Sequence, residues 1–445
     1  MKKRYKPKKF KSHLDRIIHN IALNKDQYVA RPGVDFTRNR KLSMATTLRW
    51  ILSMGANSLK KEIYEFCEKE NIDVTSSAFI QQRMKIKVDA FRDIFQKFNQ
   101  ATRFKKCFHG YTILAADGSS IRMQRDPNSE TYIQTSSNPE GYNQYHLNAV
   151  YDLLTRTYFD VELQPGLKVD ERAALINILR RNTFNEKTII ITDRGYEGYN
   201  MFANFIETAG VDFVCRIKDG GCGALADITN LPMQELDKDI QIGITTSQTN
   251  EDKLHNRRYI PTSSKKGKKL SPKTAVRRWD YKSPYTLNIR VVRFLLDSGS
   301  YETIVTSLPR DKFSVAKIKE LYHMRWGIET SFRELKYFVG LINLHGKSDQ
   351  FAAQEIYAAL TIYNFCECIT SNVVIQNSTQ KIHFYQVNYS MAFFLCRNYY
   401  KKRKQPEEKL IIDIGKYIEP VRPGRRDKRK LRQKTFTGFV YRIAA

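Results

Sequence analysis

The chain has 445 residues, of which 41% are apolar and 12% aromatic, enough for two to four domains with real cores. Lys and Arg number 75 against 46 Asp and Glu, and the formal charge of +29 favours a polyanionic partner. The seven cysteines form no CxxC pair and the eight histidines are scattered, which argues against a disulfide framework or a zinc site and indicates a reducing cytoplasm.

The basic residues are concentrated near both ends. Residues 1–11 contain seven cations and residues 422–434 contain eight. Such segments are typical of contacts with nucleic acid or anionic membrane, and solubility tails are the alternative. The most apolar stretch, 351–375, is interrupted by polar residues such as Glu355 and Glu367, so no membrane span is predicted. The N-terminal charges also lack the apolar core of a signal peptide, and we expect a cytoplasmic protein.

Helical periodicity dominates the first hundred residues. Amphipathic patterns predict helices over 41–54, 58–70 and 75–103. Residues 1–106 are therefore predicted to form an all-α region. The polar positions of its last helix suit a helix-turn-helix-like DNA reader, although an ordinary helical bundle fits the same pattern. These positions are Gln81, Gln82, Arg83 and Lys85.

A mixed α/β pattern begins near residue 111. Two short apolar strands are predicted to end at Asp117 and Asp193, and each Asp is followed within two residues by Gly. A strand pair over 145–166, a helix over 171–181 and a strand over 211–217 complete the alternation. This pattern indicates a central sheet covered by helices, with residues 107–217 as the first part of the core.

The regular alternation fails between 218 and 290. This segment opens with three glycines and contains a basic loop at 263–273, so we predict an irregular β-rich insertion that lies apart from the central sheet. Two strands then resume, followed by helices over 314–341 and 352–370. Residues 291–373 form the predicted second part of the core, and 374–445 a helical and basic C-terminal region.

One stretch of the 314–341 helix, YHMRWGIETSFRELK, combines charged and aromatic side chains. On a helical wheel Tyr322, Arg325, Glu329 and Lys336 fall within about 60° of one another, beside an apolar stripe that would dock the helix. A solvated face held by the Arg325–Glu329 and Glu329–Arg333 pairs would look the same.

The two strand-end aspartates make a functional interpretation possible. Open α/β sheets bind ligands where strands end, and Asp117, Asp193 and Glu329 together form a set of three carboxylates. Oxygen ligands suit Mg²⁺ or Mn²⁺, and two such ions support in-line displacement at phosphorus. In that case Glu329 would bind metal, and Tyr322, Arg325 and Lys336 would hold the DNA backbone.

The spacing Tyr-x2-Arg-x3-Glu-x6-Lys resembles the YREK signature of cut-and-paste bacterial insertion-sequence transposases, the family-four type. The stretches AADGSS and ITDRGY around the two aspartates are also similar to that family. The resemblance spans roughly residues 40 to 440. It implies an RNase H-like core, a catalytic triad of Asp117, Asp193 and Glu329, and a β-rich insertion before the Glu.

The same resemblance implies binding to terminal inverted repeats, excision through a DNA hairpin, insertion into target DNA and a homodimer in the synaptic complex. It also implies a bacterial protein associated with the nucleoid. Hairpin formation calls for an aromatic side chain that holds a flipped base, and Trp279 and Trp326 are candidates for this or for packing. Arg194 is a candidate DNA contact or turn residue. Arg333 is a further phosphate contact or the helix partner of Glu329.

Two other functions remain open at the level of sequence. A structure-selective nuclease on an RNase H-like fold would need the acids without the Tyr, Arg and Lys residues. A catalytically inactive DNA-binding derivative would need neither, although all three acids are present.

Overall fold

The computed structural model describes residues 6–104, 106–136, 138–218, 225, 228, 231–260, 278–373, 375, 384–402 and 406–421. The fold is mixed α/β, as predicted, with one large sheet. Its helices are α1 Pro7–Leu23, α2 Met44–Ser53, α3 Leu59–Glu70, α4 Ser76–Met84, α5 Val88–Thr102, α6 Glu171–Arg181, α7 Tyr199–Glu207, α8 Asn250–Leu254, α9 Val315–Met324, α10 Trp326–Tyr337, α11 Asp349–Thr370, α12 Tyr389–Lys401 and α13 Glu407–Lys416. Its strands are β1 Thr112–Met123, β2 Tyr132–Thr135, β3 Asn138–Asp152, β4 Thr157–Pro165, β5 Thr188–Thr192, β6 Val211–Ile217, β7 Leu236–Thr245, β8 Arg258–Tyr259, β9 Tyr285–Leu295, β10 Tyr301–Thr306, β11 Tyr385–Val387 and β12 Ile418–Pro420.

Among the described residues, the large sheet has ten strands in the order β2-β3-β1-β5-β6-β10-β9-β7-β8, and β4 pairs with β3. Strand β1 runs antiparallel to β3 and parallel to β5, which is parallel to β6. All five residues of β5 are buried, so this strand is covered on both faces. Such burial is typical of parallel strands at the centre of a helix-covered sheet.

Helices from both ends of the chain share one hydrophobic core. Side chains of α1, α2, α5, α11 and α12 pack together in it, and alternate residues of β1, such as Ala115 and Ile121, join them. The intervening residues Leu114 and Ala116 face a second core with α6 and α7. The alternation of β1 therefore separates two helical layers. The domain divisions near 106, 217, 290 and 373 remain predictions.

The segment between 218 and 290 is not separate from the central sheet in its described part, so that prediction is wrong. Strand β7 pairs antiparallel with β9 from Leu236 opposite Arg293 to Ile244 opposite Tyr285. Ile242 and Ile244 are buried in the second core. Glycines and a basic loop gave the segment an irregular pattern, but alternating isoleucines supply a buried face. The basic loop at 263–273 lies outside the described residues.

The predicted helix over 75–103 is two helices. The first helix ends at Met84 and the second begins at Val88. Between them Ile86 forms a β-bridge with Val29, and the Lys87 amide donates to the Tyr28 carbonyl at 2.8 Å. These non-local backbone hydrogen bonds replace helical ones. A repeat of apolar positions cannot reveal them.

The N-terminal basic segment is also partly structured. Helix α1 begins at Pro7, a residue well suited to a first helical position, and buries Phe10, Leu14 and Ile18. Residues 1–5 and the basic segment 422–434 lie outside the described residues. Within the described part, no helix combines the length and apolar character that crossing a bilayer requires.

Arg83 was expected on a DNA-reading face but is buried, with 2% of its surface exposed. Its guanidinium donates to Gln354 at 2.8 Å, to Glu355 at 2.9 Å and to the Phe351 carbonyl at 2.7 Å. Arg83 therefore ties α4 to α11. This contact favours the helical-bundle interpretation for this side chain.

Replacing Arg83 by Met should lower the free energy of unfolding by about 3 kcal/mol, because Glu355 would be left buried without its cation. Urea unfolding followed by circular dichroism measures this. The control is Arg92→Met, since Arg92 pairs with Asp89 while both side chains are about half exposed. We expect a loss below about 1 kcal/mol there. Equal losses in both variants would contradict the role of Arg83.

Candidate active site

Asp117 lies in the interior of β1, so the prediction that the strand ends there is wrong. The strand continues to Met123 because it stays paired with β3, where Asp117 is opposite Ala149. Its parallel pairing with β5, however, ends with Ala116 opposite Thr192. Asp117 is therefore the first residue of β1 beyond the end of that parallel pairing.

Asp193 comes directly after Thr192 of β5, so the two aspartates occupy successive positions at the same edge of adjacent parallel strands. Asp193 Oδ1 accepts a hydrogen bond from the Gly195 amide at 2.8 Å, and Asp117 Oδ1 accepts one from the Gly118 amide at 2.8 Å. Burial, together with the nearby charge of Asp193, raises the pKa of Asp117 to about 6. The hydrogen bond from the Gly118 amide and the positive charge of Arg325 lower this pKa, but by less.

The helix predicted over 314–341 is interrupted at Arg325. Helix α9 ends at Met324 and α10 begins at Trp326. At the junction the Arg325 amide donates to the Tyr322 carbonyl and the Ile328 amide to the Arg325 carbonyl, both at 3.1 Å and both three residues apart. The hydrogen bonds at the junction span three residues, whereas α-helical bonds span four, so one helical wheel does not describe both helices.

Arg325 joins the helix to the sheet. Its Nη2 donates to Glu329 Oε1 at 2.7 Å, and its Nη1 lies 3.5 Å from Asp117 Oδ2. The side chain is buried, and its Nε has no hydrogen-bond partner among the described residues. One guanidinium thus holds carboxylates from two distant parts of the sequence together.

Helix α10 is fixed on its inner side by Glu334. This buried carboxylate accepts hydrogen bonds from Arg156 at 2.8 Å and from the Tyr363 hydroxyl at 2.7 Å. Arg156 follows β3, and Tyr363 belongs to α11, so the bonds connect α10 to the sheet and to the neighbouring helix. Glu329, one and a half turns earlier, is positioned by this anchor.

The other signature residues lie in different surroundings. Tyr322 is buried in a third core with Val292 and Phe294 of β9, and burial raises its pKa although Arg325 and Arg216 lie near its hydroxyl. Lys336 is partly buried, and burial together with the nearby charge of Arg122 lowers its pKa. Arg122 lies on β1, five residues after Asp117.

The remaining predicted DNA contacts divide into surface and packed residues. Arg194 and Arg333 are exposed, and Trp326 is 45% exposed with its ring 5.6 Å from the Arg325 guanidinium carbon. Trp279 instead packs edge-on against Tyr281 and Tyr285, at centroid distances of 5.8 and 5.2 Å. Of the two helix partners predicted for Glu329, the structure shows the ion pair with Arg325, at 2.7 Å.

Two residues near the aspartates were missed by sequence reasoning. Glu171, the first residue of α6, pairs with buried His146 of β3 at 2.8 Å between Oε1 and Nε2. Both lie against Gly118, next to Asp117. The sequence did contain a signal for Glu171, since it is an acid at the start of the helix that follows the predicted strand pair. Strands β4 and β1 are both antiparallel to β3, so they run in the same direction. The helix that follows β4 therefore begins at the edge of the sheet where Asp117 lies.

The donor set fits a hard divalent cation, because Asp117, Asp193 and Glu329 offer only oxygens at one edge of the sheet. One oxygen of each carboxylate already accepts a hydrogen bond, from Gly118 to Asp117, from Gly195 to Asp193 and from Arg325 to Glu329. Among the described residues, no three His, Cys, Asp or Glu side chains are close enough to hold one ion. Metal binding would therefore require Glu329 to exchange Arg325 for the cation.

Residues 108–365 match the family model described as the transposase DDE domain. The chain belongs to this family. The matched residues run from just before β1 into α11 and include the two aspartates and Glu329. The predicted DDE transposase identity is confirmed at this level.

Two curated relatives of this transposase come from Escherichia coli insertion sequences. InsL of element IS186A, from strain K12, is 23% identical over 344 residues, which covers 74% of this chain and 86% of InsL. The transposase of element IS421 is 23% identical over 345 residues with the same coverage. Among solved structures, the chain is similar to a piggyBac transposase synaptic complex with hairpin DNA, with TM-score 0.47, 11% identity, and coverage of 95% of this chain and 87% of that chain.

Asp117→Asn should change the pH dependence of stability in metal-free protein. Since the folded pKa of Asp117 is about 6, above its usual 3.8, the folded state keeps a proton that the unfolded state has lost between these values. Stability of the natural protein should therefore fall relative to the Asn variant as pH rises from about 4 to about 6 and then level off. Thermal unfolding in chelator measures this.

Glu367→Gln provides a comparison for that experiment. Burial raises the pKa of Glu367 to about 8 despite Arg156 at 3.4 Å, so the same relative loss should extend to about pH 8. If both variants differ from the natural protein by an amount independent of pH, the buried-acid assignments are wrong.

Proposed function

We propose that this transposase cleaves and joins DNA at the ends of its own insertion sequence, with Asp117, Asp193 and Glu329 as its catalytic triad. The observation that carries the proposal is the contact of Arg325 with both Asp117 and Glu329, at 3.5 and 2.7 Å, beside Asp193 on the next parallel strand. The insertion-sequence relatives support this substrate.

Two Mg²⁺ or Mn²⁺ ions, when bound, would activate a water or 3′ hydroxyl and stabilise the leaving oxygen during displacement at phosphorus. The three carboxylates would hold them. Arg325 balances the acids while the ions are absent. If Glu329 held a metal ion instead of Arg325, the buried guanidinium would stay charged beside Asp117 and could donate to a phosphate oxygen.

The finer assignment is to the family-four type with the YREK signature, Tyr322, Arg325, Glu329 and Lys336. Arg122 and Lys336 place two cations near each other, an arrangement that favours a phosphate between them. Tyr322 is buried beside Arg325, with its ring centroid 5.8 Å from the guanidinium carbon, and would act by supporting that side chain.

For the hairpin intermediate, Trp326 is the better candidate to stack on a flipped base. It is 45% exposed and adjoins Arg325, whereas Trp279 is packed against two tyrosines. Exposed Arg194 follows Asp193 directly and would contact the DNA end; Arg333 would contribute a further phosphate contact on α10.

We further propose an RNase H-like catalytic core made of β4, β3, β1, β5 and β6, with mixed antiparallel and parallel pairing around β1. The helices before residue 107 would bind the terminal inverted repeats, and the β-rich segment before β9 would be the insertion of this family. Two copies of the chain would hold two element ends in the synaptic complex.

Glu329→Gln should reduce Mg²⁺-dependent cleavage of an element-end duplex by at least about 100-fold, because a neutral amide is a poor metal ligand. Binding of the same duplex should change little. Gel assays of cleavage and mobility measure both quantities. The control is Glu320→Gln on α9, an exposed residue that should retain full cleavage. Full cleavage by Glu329→Gln would remove Glu329 from the mechanism, and cleavage by the natural protein without joined products would favour a nuclease.

Trp326→Ala should lower the yield of hairpin ends about 10-fold, because base–aromatic stacking is worth roughly 1–3 kcal/mol. The first strand nick should be nearly unchanged. Denaturing gels separate nicked from hairpin products. Tyr337→Ala is the matched control, since Tyr337 is an aromatic residue at the far end of α10 and is 61% exposed. Equal loss of nicking and hairpin products would contradict a stacking role.

A further inference from the structure

Glu171 begins α6 at the edge of the sheet that carries the aspartates. Asp170 caps the helix by accepting from the Ala173 amide at 3.0 Å, which leaves Glu171 in the first turn. The side chain is one-third exposed, so a ligand can reach it. It is fixed on its inner side by His146, which is 9% exposed and opposite Ser120 in the β1–β3 pairing.

The glycines beside the two aspartates leave room for this carboxylate. A methyl group built on Gly118 would overlap both Glu171 Oε1 and His146 Nε2. A methyl group built on Gly195 would lie 3.5 Å from Glu171 Oε2 and 2.9 Å from Asp193 Oδ1. The two oxygens of Glu171 thus face the backbone next to Asp117 and next to Asp193.

The two sides of this sheet edge differ in charge. Arg325 interacts with Asp117 and Glu329 on the α10 side. On the α6 side, Glu171 Oε1 lies beside Gly118, the residue that follows Asp117. The contact that Glu171 makes there is with His146, and Arg172 donates instead to the Gly195 carbonyl at 3.0 Å. Carboxylates gathered in this way are stabilised when they share a cation.

We propose that Glu171 is a fourth carboxylate of the metal site and that His146 is the residue that positions it. Glu171, Asp117 and Asp193 would bind a divalent ion together after their side chains move closer to one another than they are in the described, metal-free geometry. The inference rests on the proposed function, because it assumes the ion site at the two aspartates. It adds a ligand from a helix that the triad does not use. A purely structural role, as a favourable acid in the first turn of α6, would affect stability without affecting metal affinity.

Calorimetric titration of the full chain with Mn²⁺ in the absence of DNA tests the proposal. Glu171→Gln should weaken Mn²⁺ binding at least about 10-fold, because the amide keeps the shape but loses the charge. Asp193→Asn should weaken it as well, and Glu320→Gln should not. Thermal unfolding without metal verifies that each variant is folded.

The outcomes separate the two proposals. Unchanged affinity in folded Glu171→Gln, with loss in Asp193→Asn, overturns the role of Glu171 and leaves the proposed function intact. Unchanged affinity in Asp193→Asn overturns the ion site itself, and with it both proposals. Loss in both variants supports the fourth ligand.

Two further variants test the geometry. Gly118→Ala keeps every carboxylate but displaces Glu171, and should also weaken Mn²⁺ binding. His146→Ala should weaken it about 10-fold, as loss of a residue that orients a ligand does, whereas His146→Gln retains a donor for Glu171 and should restore much of the affinity. Equal affinity in His146→Ala and the natural protein would show that His146 does not position Glu171.

Discussion

The contact of Arg325 with Asp117 and Glu329 is the interaction on which the candidate site depends. It joins a strand near the start of the matched domain to a helix more than two hundred residues later. A buried arginine is stabilised by a nearby negative charge, and partly buried carboxylates are stabilised by a nearby positive charge. The pair of contacts therefore holds Asp117 and Glu329 close together in the absence of metal and DNA.

The surrounding fold makes that contact possible by holding both sides rigidly. On the sheet side, Asp117 follows the last residue of β1 that pairs with β5 and stays paired with β3. On the helix side, Glu334 anchors α10 through Arg156 and Tyr363, and α11 lies buried behind it. A site built between such elements can hold its geometry if, as proposed, Glu329 exchanges Arg325 for a metal ion.

Many of the candidate site residues could be predicted from the sequence, for physical reasons. Apolar runs that end in Asp marked two strands, and the sheet edge where ligands bind follows from such strands. The spacing of Tyr322, Arg325, Glu329 and Lys336 suggested one face of one helix. The structure divides that helix at Arg325, because hydrogen bonds at the junction span three residues, whereas α-helical bonds span four. Arg325 still meets Glu329, while Tyr322 turns into the core.

The sequence by itself determined the mixed α/β class, the strands carrying the aspartates and the family resemblance, because these depend on local periodicity and short motifs. Only the tertiary structure decided that β7 joins the central sheet, that Arg83 is buried against α11, and that Glu171 and His146 lie beside Gly118. Each of these depends on pairing between segments far apart in the chain. A local sequence pattern does not indicate which distant residue will form a hydrogen bond or an ion pair with a given side chain.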